Sequence, residues 1–145
     1  MKILVSTDGS ALSDKAIATA VELAAALQAG LIGMTAVGSY AYSGYADYGS
    51  EEARDETVFD SEQAAAANDR LAAVERAATA AGIGYELVMS RISPPWQAII
   101  DCARANDCQM IVMASHGRSG LGALVLGSET QKVLAHGDRP VLVVR

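Results

Sequence analysis

MIVMASHGRSGLGALVLGS, residues 110–128, is the stretch on which the reading of this chain turns. It opens as a short apolar run of β type (110–113), breaks into a Gly/Ser-rich loop with one cation (115–122), and reaches Gly127 and Ser128 just before a helical pattern. A loop that leaves a strand, passes through glycines and feeds a helix N-terminus gathers unpaired backbone N–H groups in a small volume. Such a volume suits an anion, above all a phosphate.

Working outward, the flanking segments alternate between strand and helix. KILVST (2–7) reads as a first strand, and Asp8-Gly9-Ser10 supplies the turn that ends it, with Ser10 as N-cap. Ala16, Ile17, Ala20, Val21, Leu23, Ala24 and Leu27 then recur at three and four residues, predicting a helix to about residue 29 that Gly30 closes. LIGMTAV (31–37) is a second strand. No hairpin turn joins the two, so they are expected to pair in parallel through a right-handed crossover. Asp8, Ala36 and Val37 then fall at one sheet edge, where open α/β sheets hold their ligands.

The pattern dissolves between 38 and 57, GSYAYSGYADYGSEEARDET, a stretch with four tyrosines, three glycines and a cluster of acids. A long irregular segment of this kind reads as a solvated connection or as a lid or partner surface. An Ala-rich helix follows from Phe59 to Ala81, with Leu71, Val74, Ala77 and Ala78 at helical spacing and Gly82 at its end. YELVMS (85–90) is a third strand. Ser93-Pro94-Pro95 starts another helix, with Trp96, Ile99, Ile100 and Ala103 along its apolar stripe, and Asn106-Asp107 is its exit. Residues 109–114 make the fourth strand. A last helix over 128–135 turns Val133 and Leu134 inward and closes at His136-Gly137, and 141–144 is a final strand. His136 suits the C-terminal end of that helix as a cation or solvated group.

Five strands and four helices in strict alternation predict a single α/β domain over residues 1–145, a three-layer open parallel sheet of Rossmann-like type. A chain of this length buries roughly 70% of its unfolded surface. Its residues are 51% hydrophobic and only 5% aromatic, so the core is aliphatic. No apolar run reaches membrane-span length and no signal-peptide pattern opens the chain, which predicts a cytoplasmic protein. The net charge of −6 argues against nucleic acid as a partner. The two cysteines, Cys102 and Cys108, read as small buried hydrophobes on a helix and the following strand.

Within the organising stretch, the spacing from Ala114 to Gly117 to Gly127-Ser128 carries the chemistry. Gly117 can take positive φ and let the backbone approach a ligand. Gly127-Ser128 stands where free N–H groups, the helix dipole and a hydroxyl face one way. The dipole contributes about 0.3–1 kcal/mol, whereas micromolar affinity needs about 8 kcal/mol. Base burial and further hydrogen bonds must therefore come from the edge that carries Asp8, Ala36 and Val37.

The chain resembles the universal stress protein family over its whole length, through the first strand ending in TDGS, the βα alternation, the segment VMASHGRSGLGALVLGS and the ending RPVLVVR. The resemblance implies the adenine nucleotide alpha hydrolase-like variant of the fold and a regulatory role in the stress response. The family's ATP-binding signature is Gly, two residues, Gly, nine residues, Gly, then Ser or Thr. Gly117, Gly127 and Ser128 match it, and Ala114 stands where the first glycine belongs. A left-handed Ala114 would cost about 1–2 kcal/mol, whereas an extended one would keep its methyl at little cost. The resemblance places Asp8 by the adenine or ribose and the backbone near Ala36 on the adenine edge. It places Arg118, Ser119, Gly127, Ser128 and Glu129 near ribose and phosphates, with His116 beside the ribose or in a structural role. The implied cofactor is ATP, whose phosphates a magnesium ion could bridge.

No phosphate-binding lysine loop, acidic metal pair or nucleophilic triad is legible, so no catalytic or protein metal-ligand residues are assigned and at most slow ATP hydrolysis is expected. The apolar terminal strand predicts a homodimer through Val141–Val144. Beyond ATP and a second copy, the protein partner is unknown. The competing reading is a nucleotide-free dimeric interaction module of the same fold. A phosphoacceptor receiver domain fits poorly, because the third strand ends in Met89-Ser90-Arg91 rather than in an aspartate.

Overall fold

The computed structural model describes residues 1–38, 56–92, 94–117 and 126–145. The strands are β1 (Lys2–Ser6), β2 (Gly30–Ala36), β3 (Tyr85–Ser90), β4 (Met110–Ala114) and β5 (Val141–Val144), and the helices are α1 (Ala11–Leu27), α2 (Glu56–Ala80), α3 (Pro95–Ala105) and α4 (Ser128–His136). All strand pairs are parallel, in the order β3-β2-β1-β4-β5. The expected α/β sheet is therefore the observed one. The tyrosine-rich stretch, apart from its ends, and Arg118 and Ser119 lie outside the described residues.

Central strands of a parallel sheet are covered on both faces, which is why they are apolar without alternation. In β1, Ile3 and Val5 pack into one cluster with α1 and α2, while Leu4 joins the other with Ile32, Met34, α3 and α4. The small side chains of α1 and α2 let these helices lie close to the sheet. At Gly33 a Cβ would stand 2.7 Å from Cγ1 of Val74, so only glycine fits beneath α2.

Three local expectations are corrected. Gly30 does not close α1: Gln28 takes the left-handed cap position at φ 52°, and Gly30 is already in β2, paired with Lys2. The Ala29 N–H bonds back to the Ala24 carbonyl, which sets the turn earlier than the glycine. Leu134 is 44% exposed, and only Val133 of that pair turns inward. Cys108 lies in the turn before β4 rather than on the strand, where its N–H bonds the Ala103 carbonyl.

Both thiols are buried. Burial pushes Cys102 up to about 11, with Cys108 adding to the rise and the Asn106 hydrogen bond opposing it. Burial likewise raises Cys108.

Candidate functional site

Chain connections leave β1 toward β2 on one side, while β4 and β5 extend the sheet on the other. The break in winding therefore falls between β1 and β4, and in open α/β sheets the crevice at such a break is where ligands sit. Sequence reasoning had paired β1 with β2 as the site edge. The structure adds β4 as the other neighbour of β1.

On the β1 side, a net of short bonds fixes the turn. Thr7 donates its N–H to Met34 O at 2.9 Å, and its carbonyl accepts the buried Thr35 hydroxyl at 2.8 Å. The Thr7 and Ser13 hydroxyls lie 3.1 Å apart, and the Gly9 N–H donates to Thr7 Oγ1 at 3.2 Å. Asp8 Oδ1 accepts the Ser10 N–H at 3.0 Å, and Ser10 Oγ caps α1 by accepting the Ser13 N–H. Gly9 has φ +78°, and a Cβ there would meet Arg70 Cγ at 3.0 Å. The Arg70 side chain of α2 thus braces this turn from outside, and its Nη1 donates to Ala36 O at 3.5 Å. The sequence reading assigns Arg70 no role in the site. Its signal was the four-residue step to the inward Val74.

On the β4 side, Ala114 is the last strand residue, in register with Val144. It is not among the residues with left-handed backbone, so its methyl sits where extended geometry tolerates it. Its carbonyl accepts the buried Thr130 hydroxyl at 3.0 Å, tying the end of β4 to the first turn of α4. Ser115 donates its N–H to Val144 O and accepts the Gly127 N–H, both at 2.8 Å.

The last bond corrects one expectation: the Gly127 N–H is spent on Ser115. The helical ladder begins with Gln131 N–H to Gly127 O, which leaves the N–H groups of Ser128, Glu129 and Thr130 ahead of it. Gly127 eases a close approach, because a Cβ there would stand 3.1 Å from His116 Cα and one of the two would have to shift. Gly117 is corrected too. Its φ is not positive, and its missing Cβ makes room for Asp8, whose Oδ2 would be 2.9 Å away.

These elements enclose a cavity of about 480 Å³, within the size range of small-molecule sites. Met34, Ile99 and Met113 contribute apolar surface to it, and Asp8, Ser128, Glu129, Thr130 and Gln131 contribute polar groups. Of the residues assigned from sequence, Asp8, Ala36, Ala114, Gly117, Gly127, Ser128 and Glu129 all line this cavity. Val37 does not: it is buried, with its N–H given to Ser90 O. Sequence reasoning missed Thr130 and Gln131, which follow the glycine-serine pair on the first turn of α4.

His116 lines the cavity with its Nδ1 3.1 Å from Ser115 Oγ. Ser115 is buried and does not line the cavity, so this contact fixes the ring and poses no nucleophile. Glu129 Oε2 accepts the Trp96 backbone N–H at 2.8 Å, and its Oε1 lies 3.7 Å from Lys132 Nζ. The Trp96 ring stacks at a tilt against His136, with centroids 4.9 Å apart. Among the described residues no group of three or more His, Cys, Asp or Glu could hold a metal ion.

A sequence model described as the universal stress protein family matches residues 1–145. The chain is 32% identical to the universal stress protein YxiE of Bacillus subtilis over 151 residues, covering 99% of this chain and 98% of that one. A shorter match, 43% identical over 51 residues, joins it to a universal stress protein of Thermus aquaticus and covers 35% of this chain and 37% of the other. Its fold superposes with a TM-score of 0.74 on the universal stress protein from Archaeoglobus fulgidus in complex with dAMP, at 18% identity, covering 100% of this chain and 98% of that one.

Proposed function

The chain belongs to the universal stress protein family, and on that premise we propose that it is an ATP-binding regulatory protein of the stress response. The observation that carries this reading is the convergence on one cavity of Asp8, Ala36, Gly117, Gly127 and Ser128, residues drawn from three strand ends and a helix start. The apolar surface of Met34, Ile99 and Met113 suits a planar base, and the leading N–H groups of α4 suit phosphate oxygens. The structural relative that holds dAMP supports an adenine nucleotide as the ligand class.

Magnesium, carried in on the phosphates, is the cation that this reading adds. Binding rather than turnover is the proposed activity, with hydrolysis at most slow. Isothermal calorimetry on nucleotide-stripped protein tests it: heat that saturates with magnesium and ATP is expected, and none above buffer at millimolar ligand rejects it.

A second copy is the proposed protein partner, paired along β5. That strand is an edge of the sheet, and its Leu142 is 36% exposed. Light scattering that returns a monomer at micromolar concentration rejects the dimer. The same edge sustains the competing reading of a nucleotide-free interaction module. Adenine absorbance in freshly purified protein would count against that alternative. No helix among the described residues is long and apolar enough to cross a membrane, which accords with the proposed cytoplasmic site.

A further inference from the structure

We propose that Arg70 is a positioning residue for the nucleoside end of the cavity, although it does not line the cavity itself; this rests on the nucleotide-binding reading above. From α2 it ties the turn after β1 to the end of β2, and these two segments supply Asp8 and Ala36 to the lining. The direct bonds between the segments lie at Thr7, which gives its N–H to Met34 O and accepts the Thr35 hydroxyl. Arg70 adds a link farther out, at Gly9 and Ala36.

The arginine stands on a fixed base. Ala67, Leu71, Val74 and Ala78 of α2 are buried, and Val74 lies so close to Gly33 that a Cβ on the glycine would be 2.7 Å from its Cγ1. Arg70 precedes Val74 by one turn, so its backbone is held at a set height above β2. Helical side chains lean toward the helix N-terminus. In a crossover between parallel strands that direction is the carboxyl edge of the sheet, where the cavity opens.

One side chain makes both grips. Its stem lies along Gly9, with Cγ 3.0 Å and Cδ and Nε 3.7 Å from the place a Cβ would take, and its Nη1 donates to Ala36 O at 3.5 Å. A carbonyl has two lone pairs, so this bond leaves one of them for a ligand donor. Gly9 has φ +78°, a conformation that glycine adopts freely and leaves as freely. Packing the arginine stem against that turn holds Asp8 in place beforehand, which lowers the ordering entropy lost when a nucleoside binds.

The test compares three variants of the nucleotide-stripped full chain. Arg70→Ala removes stem and head, Arg70→Met keeps a stem alone, and Arg70→Lys keeps a stem with a donor. In calorimetry, Arg70→Ala should bind adenosine and magnesium-ATP about tenfold more weakly, both by the same factor, because the fault lies at the nucleoside end. Arg70→Met should fall between, and Arg70→Lys should return to within about threefold of the wild type. Hydrogen exchange without ligand is the second readout: the Gly9 and Ser10 amides should exchange about tenfold faster in Arg70→Ala, with Leu4 and Val5 of β1 unchanged. Wild-type affinity in Arg70→Ala, faster exchange that extends equally to β1, or an Arg70→Lys no tighter than Arg70→Met overturns the proposal. Should Arg70→Ala fail to fold, the order of the other two still decides. A wild type that binds neither adenosine nor magnesium-ATP refutes nucleotide binding itself and this inference with it, whereas a wild type that binds both beside unaffected variants refutes this inference alone.

Discussion

A Cβ on Gly117 would stand 2.9 Å from Oδ2 of Asp8, so the loop after β4 and the turn after β1 meet at the one position that lacks a side chain. Gly117→Ala should be cheap to fold, because the atom in the way is the terminal oxygen of a rotatable side chain rather than backbone, and Gly117 has no positive φ to lose. The carboxylate turns aside instead, and on the proposed reading the hydrogen bond that it would make to the nucleotide goes with it. We expect a stability change under about 1 kcal/mol in urea unfolding and about a tenfold loss of nucleotide affinity by calorimetry.

Ala114→Gly restores the family's signature glycine, yet it should not improve binding. Ala114 is extended, buried and paired with Val144, so a glycine there relieves no strain and adds chain entropy to the unfolded state. A loss of about 0.5–1 kcal/mol in unfolding free energy is expected, with affinity changed by less than about threefold. A large gain in affinity would show that the methyl obstructs the ligand.

Thr130→Val replaces the buried hydroxyl that donates to Ala114 O at 3.0 Å with a group of the same shape. The orphaned carbonyl should cost about 1–3 kcal/mol. Because this bond joins β4 to α4, the nucleotide affinity should fall along with the denaturation midpoint, unlike the Gly117→Ala case, where affinity moves alone.

The two thiols predict a loss of stability in alkali. Cys102 titrates at about 11 in the folded chain against 9.0 ordinarily, and Cys108 is raised in the same direction. The unfolded chain gives up these protons first, so between the two values it binds fewer protons than the folded one and stability falls as pH rises. The contribution is complete below about pH 9 and lost towards 11. Urea midpoints measured from pH 8 upward should drop more steeply for the wild type than for Cys102→Ala. Iodoacetamide should leave both thiols unmodified in the native state.

Much of the fold was legible because local signals agreed with global packing. Tyr85–Ser90 and Val141–Val144 have the bounds that their apolar runs predict, and Gly82 ends α2 with φ +67°. What stayed hidden was non-local. Nothing within Met110–Ala114 says that its neighbour is β1, so the crevice between β1 and β4 could not be drawn from residue patterns. Gly117 was found for the wrong reason, since spacing reveals a glycine but not whether φ or crowding requires it. Arg70 and the bond from Trp96 to Glu129 were missed because each links elements far apart in sequence.

The join between β1 and β4 rests on three residue pairs, Ile3 with Met110, Leu4 with Ile111 and Val5 with Val112. It is the seam along which the first half of the chain, β1 to β3, is sewn to the second. On the proposed reading, a nucleotide lodged above it would lie between Asp8 on one bank and Ser128 on the other, and would act as a stitch. Occupancy would then be felt as mechanical continuity across the whole sheet, out to β5 at its far edge, where a neighbouring molecule could sense whether the seam is held.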